Sequence, residues 1–144
     1  MAKIRTFLNG RPDLTAEKYT AETYPLFQPV QMYKLNAKSI TADELYGNFS
    51  SDSNEWTDGI LCTVMRECIK YQDEKRLQWI ICDSPVDALW IENLNTILDD
   101  AKRLCLTSGE VIAMTDQTAY MFEVRDLEVA SPATVSRCGM IYFD

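Results

Sequence analysis

Hydrophobic and polar positions change period several times along the chain, and each change predicts an element. Val30 to Leu35 alternates, with Val30, Met32 and Leu35 apolar and Gln31 and Lys34 polar, which predicts a strand. Thr41-Ala42-Asp43-Glu44 has the spacing of a capping box, so a short helix should start at Thr41 and end near Gly47. Asn48 to Asn54 reads as a polar loop. Ile60, Leu61, Val64, Met65, Cys68 and Ile69 recur at helical spacing, predicting an amphipathic helix capped by Thr57. An exposed turn follows over Gln72 to Arg76.

Leu77 to Cys82 is a nearly continuous apolar run, as expected of a strand covered on both faces. Val86 to Leu98 predicts one helix with Leu89, Trp90, Leu94, Ile97 and Leu98 turned inward, closed by Asp99 and Asp100. Leu104 to Leu106 and Val111 to Met114 flank Thr107-Ser108-Gly109-Glu110 as a hairpin. Tyr120 to Val124 is a buried strand candidate. Ser131 caps a helical turn over Pro132 to Ser136, and Gly139 to Phe143 reads as a last short strand. Met1 to Phe27 carries only a weak helical pattern, at Thr15 to Tyr24. Strands alternating with helices predict a three-layer α/β/α arrangement with a mainly parallel sheet.

Composition narrows the function classes. Hydrophobic residues make up 47 % and charged residues 25 % of 144, as in a globular chain. The net charge of −8 and the scattering of 14 basic residues argue against nucleic acid, which needs clustered Lys and Arg. No apolar run approaches the ~20 residues of a membrane helix, and no secretory signal is visible. There is no histidine and no C-x-x-C pair, so a Cys/His zinc site is not expected. Cys62, Cys68, Cys82 and Cys105 have apolar neighbours and are expected as reduced, buried thiols of a cytosolic protein. Trp56, Trp79 and Trp90 are expected in the core.

The candidate chemistry centres on Asp83, which ends the apolar run from Leu77. A carboxylate at the end of a buried strand suits Mg²⁺ held through water beside phosphates. The plain alternative is a turn residue or helix cap. Asp87 and Glu92, on the helix that follows, read as solvated or capping carboxylates.

Trp79 to Asp100, WIICDSPVDALWIENLNTILDD, resembles the Walker B region of the second AAA+ module in dynein heavy chains. Asn36 to Gly47, NAKSITADELYG, and Glu55 to Gly59, EWTDG, resemble the segments before it. Phe122 to Asp144, FEVRDLEVASPATVSRCGMIYFD, resembles the sensor-one and arginine-finger region. The blocks stand in the family's order. DSPVDALWIEN and ASPATVSR look more like the axonemal than the cytoplasmic type. The resemblance covers residues 28–144 and implies a P-loop NTPase-like AAA+ large subdomain, with residues 1–27 matching poorly.

By that resemblance Asp83 is the Walker B acid and would hold Mg²⁺ through water. Glu123 takes the sensor-one position, where many such modules carry an amide. Arg137 is an arginine finger reaching the nucleotide of the neighbouring module, a role suited to an always-charged, bidentate guanidinium. ATP or ADP with Mg²⁺ would be bound by the parent module. The implied partners are neighbouring AAA+ modules, other dynein chains and microtubules, with no nucleic acid and no membrane. The implied location is the cytoplasm and cytoskeleton, at the axoneme of a cilium or flagellum.

Two departures matter. None of the five glycines belongs to a G-x-x-x-x-G-K-[ST] phosphate loop, and in the family that loop lies upstream of the strand matched by Val30 to Leu35. The expectation is therefore a fold truncated at the N-terminus that binds no nucleotide by itself and leaves apolar faces uncovered. Asp83 is also followed by Ser84, where hydrolytic sites carry a glutamate that activates water, and serine is no base at neutral pH. Three readings stay open. The chain is a ring-module fragment of an axonemal dynein, a non-enzymatic interaction domain derived from one, or a free-standing hydrolase. The two departures disfavour the last.

Overall fold

Three parallel strands in the order β1-β4-β7 form the central sheet of the computed structural model, which describes residues 29–74 and 76–142. These are β1 (Val30–Leu35), β4 (Leu77–Asp83) and β7 (Thr118–Glu123). Two antiparallel pairs flank the sheet: β2 (Gly47–Phe49) with β3 (Trp56–Asp58), and β5 (Arg103–Cys105) with β6 (Val111–Ala113). The helices are α1 (Ala42–Tyr46), α2 (Ile60–Lys70), α3 (Ala88–Ile91), α4 (Asn95–Leu98) and α5 (Pro132–Arg137). A parallel sheet joined through helices is the expected α/β arrangement.

In β4, Gln78, Ile80 and Cys82 are fully buried, while Leu77, Trp79 and Ile81 are half-buried. The strand is thus closed on one face and partly covered on the other among the described residues. On the edge strand β1 the inward residues are Tyr33 and Leu35 while Met32 is half-exposed, so of the apolar positions Val30, Met32 and Leu35 only Leu35 is buried in the core. The buried face packs against α2 through Leu61, Cys62, Val64, Met65 and Cys68. Ile60 is 46 % exposed and Ile69 half-buried, so both lie off that stripe. Trp90 and Phe122 meet nearby with tilted rings, centroids 6.2 Å apart.

Gln78 is the polar exception in this core. Its Nε2 donates to the carbonyl of Cys68 at 3.1 Å, and its Oε1 accepts from Thr118 Oγ1 at 3.3 Å. A carbonyl in the last turn of a helix has no intrahelical partner, and this side chain supplies one from the neighbouring strand.

Local signals placed several elements well. Thr41 and Glu44 form a complete capping box, and Gly47 closes α1. The hairpin around Gly109 and the Ser131 cap with Pro132 in the first turn also form. Other expectations fail for tertiary reasons. Thr57 does not cap α2: it lies in β3, paired with Asn48, and Gly59 is the N-cap. The same pairing turns the start of the expected 48–54 loop into β2. The single helix expected from Val86 to Leu98 is broken into α3, a 3-10 turn at Glu92–Leu94, and α4. Trp90, Ile91, Leu94 and Ile97 are buried there and Leu98 is half-buried, while the side chain of Leu89 lies outside the described residues.

Residues 139–142 form no strand; Met140, Ile141 and Tyr142 are 63–87 % exposed. Phe143, Lys75 and the helix expected at Thr15 to Tyr24 lie outside the described residues. Among those described, no helix is long and apolar enough to cross a membrane. Trp90 is a core residue, whereas Trp56 and Trp79 are half-buried.

The cysteines divide by depth. Cys62, Cys68 and Cys82 are buried, Cys138 is partly covered, and Cys105 is exposed, contrary to its apolar setting in the sequence. Burial pushes the Cys62 thiol up to about 11 and the Cys82 thiol to about 12, from an ordinary 9.0. Alkylation at about pH 8 should therefore modify Cys105 first and spare Cys62, Cys68 and Cys82 until the protein is unfolded, read by mass spectrometry of digested peptides. The raised values also set a sign. The stabilisation is fully present below 9, and it is lost as pH climbs toward 12, because the unfolded thiols ionise first.

Candidate functional site

The carboxyl edge of the parallel sheet gathers three charged side chains. Asp83 and Glu123 are the last residues of β4 and β7 and stand opposite each other in register. Like charges facing across a strand pair repel. Lys34, one residue before the end of β1, lies between them: its Nζ is 2.8 Å from Asp83 Oδ2 and 3.5 Å from Glu123 Oε2. Its hydrogen bond to Asp83, then the charges of Asp83 and Glu123, raise the lysine pKa. All three side chains are 48–60 % exposed. They project from the half-covered sheet face, since the register pairs Lys34 with Ile81, two residues before Asp83.

The sequence-predicted Asp83 and Glu123 are thus brought together. The cation that joins them was not singled out from the sequence, where Lys34 reads only as the polar phase of an edge strand. Ser84 is 3 % exposed, and its hydroxyl has no partner among the described residues. It is sequestered and offers no base. Asp87 is half-buried at the approach to α3, and its carbonyl accepts from the Ile91 N–H at 3.1 Å; Glu92 is exposed.

Arg137 sits away from this edge. It closes α5, where its Nε pairs with the Asp99 carboxylate and its Nη1 donates to the Ala133 carbonyl at 2.8 Å. One turn earlier Thr134, 1 % exposed, donates through Oγ1 to Asn95 Oδ1 at 2.8 Å. Asn95 opens α4 and Asp99 is the extended residue that caps its end, so the two ends of that short helix hold Thr134 and Arg137. Asn95 and Asp99, on either side of the buried Ile97, were the available signal for α5's docking site.

A second ion network is structural in placement. Arg66 on α2 holds Asp58 at 2.6 Å and takes both oxygens of Glu110 at 2.9 and 2.8 Å, and Trp56 Nε1 donates to Asp58 at 2.7 Å. Arg66 lowers the pKa of both carboxylates. It fastens the two hairpins to α2.

Donor chemistry at the sheet edge is of the hard-oxygen kind that Mg²⁺ takes. Yet an ammonium already contacts both carboxylates, and no group of three or more Cys, Asp or Glu side chains disposed to hold a metal occurs among the described residues. As arranged, these residues do not fit a divalent ion.

Residues 15–138 match the family described as AAA domain (dynein-related subfamily). The chain is 49 % identical over all 144 of its residues to Dynein axonemal heavy chain 1 of Mus musculus. It is 55 % identical over 115 residues, 80 % of its length, to Dynein axonemal heavy chain 3 of Mus musculus. To Dynein axonemal heavy chain 2 of Homo sapiens it is 53 % identical over 122 residues, 83 % of its length. In each case it spans about 3 % of the relative's length.

Proposed function

The chain belongs to the dynein-related subfamily of AAA domains, and from that membership we propose that it works within the AAA+ motor ring of an axonemal dynein heavy chain, as part of the second module. The observation that carries the reading is the 49 % identity along its whole length to a heavy chain named axonemal. The strand-end pair Asp83 and Glu123 supports a place beside the ATP or ADP of the parent module. Ser84 in place of a water-activating glutamate makes that site regulatory and largely non-hydrolytic. Arg137 is the group offered across the ring to the neighbouring module's nucleotide. Microtubules, other dynein chains and the axoneme of a cilium or flagellum are the implied setting.

Lys34, whose ammonium already contacts both strand-end carboxylates, favours a second reading, an interaction domain that keeps the fold for protein contacts. An epitope tag at the chromosomal locus separates the two. The motor reading expects the tagged product in isolated axonemes, extracted with the dynein fraction and released from microtubules by ATP. Tagged product that is absent from axonemes, or indifferent to ATP, overturns it.

A further inference from the structure

We propose that Lys34 is a built-in cation for Asp83 and Glu123, so that this sheet edge is bridged without a divalent ion and admits one only when the lysine is displaced. The geometry is direct. Two carboxylates stand opposite each other at the ends of β4 and β7, and among the described residues the ammonium that touches both comes from the strand next to β4. The backbone register fixes the meeting, because β1 pairs with β4 from Val30 on Leu77 through Leu35 on Cys82. Two negative charges against one positive leave a single negative charge at the edge, too little to dehydrate Mg²⁺ in competition with a tethered cation. A point charge on a flexible four-carbon stem can also swing clear, which makes the arrangement displaceable rather than permanent. The proposal concerns this edge alone and holds whether or not the chain works in a motor ring.

The test uses the full chain and Mn²⁺ alone as probe, followed by electron paramagnetic resonance and by the melting temperature. Wild type should show no saturable Mn²⁺ site at the edge and no Mn²⁺-dependent change in melting. Lys34→Met should bind Mn²⁺ saturably, about tenfold tighter than the residual non-saturating association of wild type, the scale expected when a nearby unit charge no longer opposes the ion. Its melting temperature should be lower without metal and recover with it. Lys34→Arg should behave as wild type. Lys34→Met combined with Asp83→Asn should lose the gained site. The proposal is overturned if wild type binds Mn²⁺ as tightly as Lys34→Met, or if the double variant keeps the site. Because Lys34 is 60 % exposed, its removal opens no core cavity, and the melting curve reports directly whether each variant is folded.

Discussion

On the motor-ring reading proposed above, replacing Arg137 by alanine should lower ATP turnover at the neighbouring module by about 10³-fold or more, the scale on which a trans guanidinium stabilises phosphoryl transfer. Stability should hardly respond. The Arg137–Asp99 pair is 31 % and 42 % exposed, and exposed pairs of this kind contribute about 0–1 kcal/mol. The contrast between a large kinetic loss and a small shift in unfolding midpoint distinguishes a finger from a surface anchor. Arg137→Lys should recover only part of the rate, because an ammonium lacks the planar fork. Asp99→Asn removes the carboxylate that now engages the guanidinium in cis, and it should leave turnover intact or raise it. Single-turnover measurement on the purified motor supplies the readout. A change of only a few-fold in Arg137→Ala would end the finger assignment and leave the Asp99 pair as its whole role.

The second large effect is structural. Gly47 has φ +113°, and a Cβ there would lie 2.5 Å from the Thr57 carbonyl oxygen and from the Trp56 ring. Gly59 faces it: a Cβ on Gly59 would lie 2.5 Å from the Gly47 nitrogen and the Leu45 carbonyl. Three backbone segments meet where α1 ends, β3 ends and α2 begins, and no side chain fits between them. Either Gly47→Ala or Gly59→Ala should cost about 3–5 kcal/mol, combining backbone strain or displacement with overpacking. That is a large part of the ~5–15 kcal/mol that holds a typical domain. Gly109→Ala is the control. Its φ is +87°, but nothing lies within 4 Å, so only the left-handed penalty of about 1 kcal/mol applies. Urea midpoints for the three variants check the order, and equal midpoints for Gly47→Ala and Gly109→Ala would refute it.

Those glycines also show what the sequence could tell and what it could not. Gly47 was readable as a helix stop because Thr41 and Glu44 announce α1 within four residues. The role of Gly59 was hidden, because it depends on a strand pairing between 47–49 and 56–58 that no local propensity records. The same pairing took Thr57 away from its apparent capping position. The break between α3 and α4 was equally hidden, since Trp90, Leu94 and Ile97 keep helical spacing through it. At the sheet edge, Asp83 was legible as a strand-end acid, and Glu123 through family resemblance. Lys34 was not, because its meaning arises only when β1 settles beside β4. Arg137 was legible only through family resemblance, and its partner Asp99 looked like nothing more than a helix terminus.

The amide of Gln78 makes the central strand self-proofreading. Were β4 to slide by one residue against α2, an indole or a leucine would face the Cys68 carbonyl, and the carboxamide would be driven into hydrocarbon with nothing to bond. A mis-threaded sheet would thus lose both of the amide's partners at once, the α2 carbonyl and the Thr118 hydroxyl of β7.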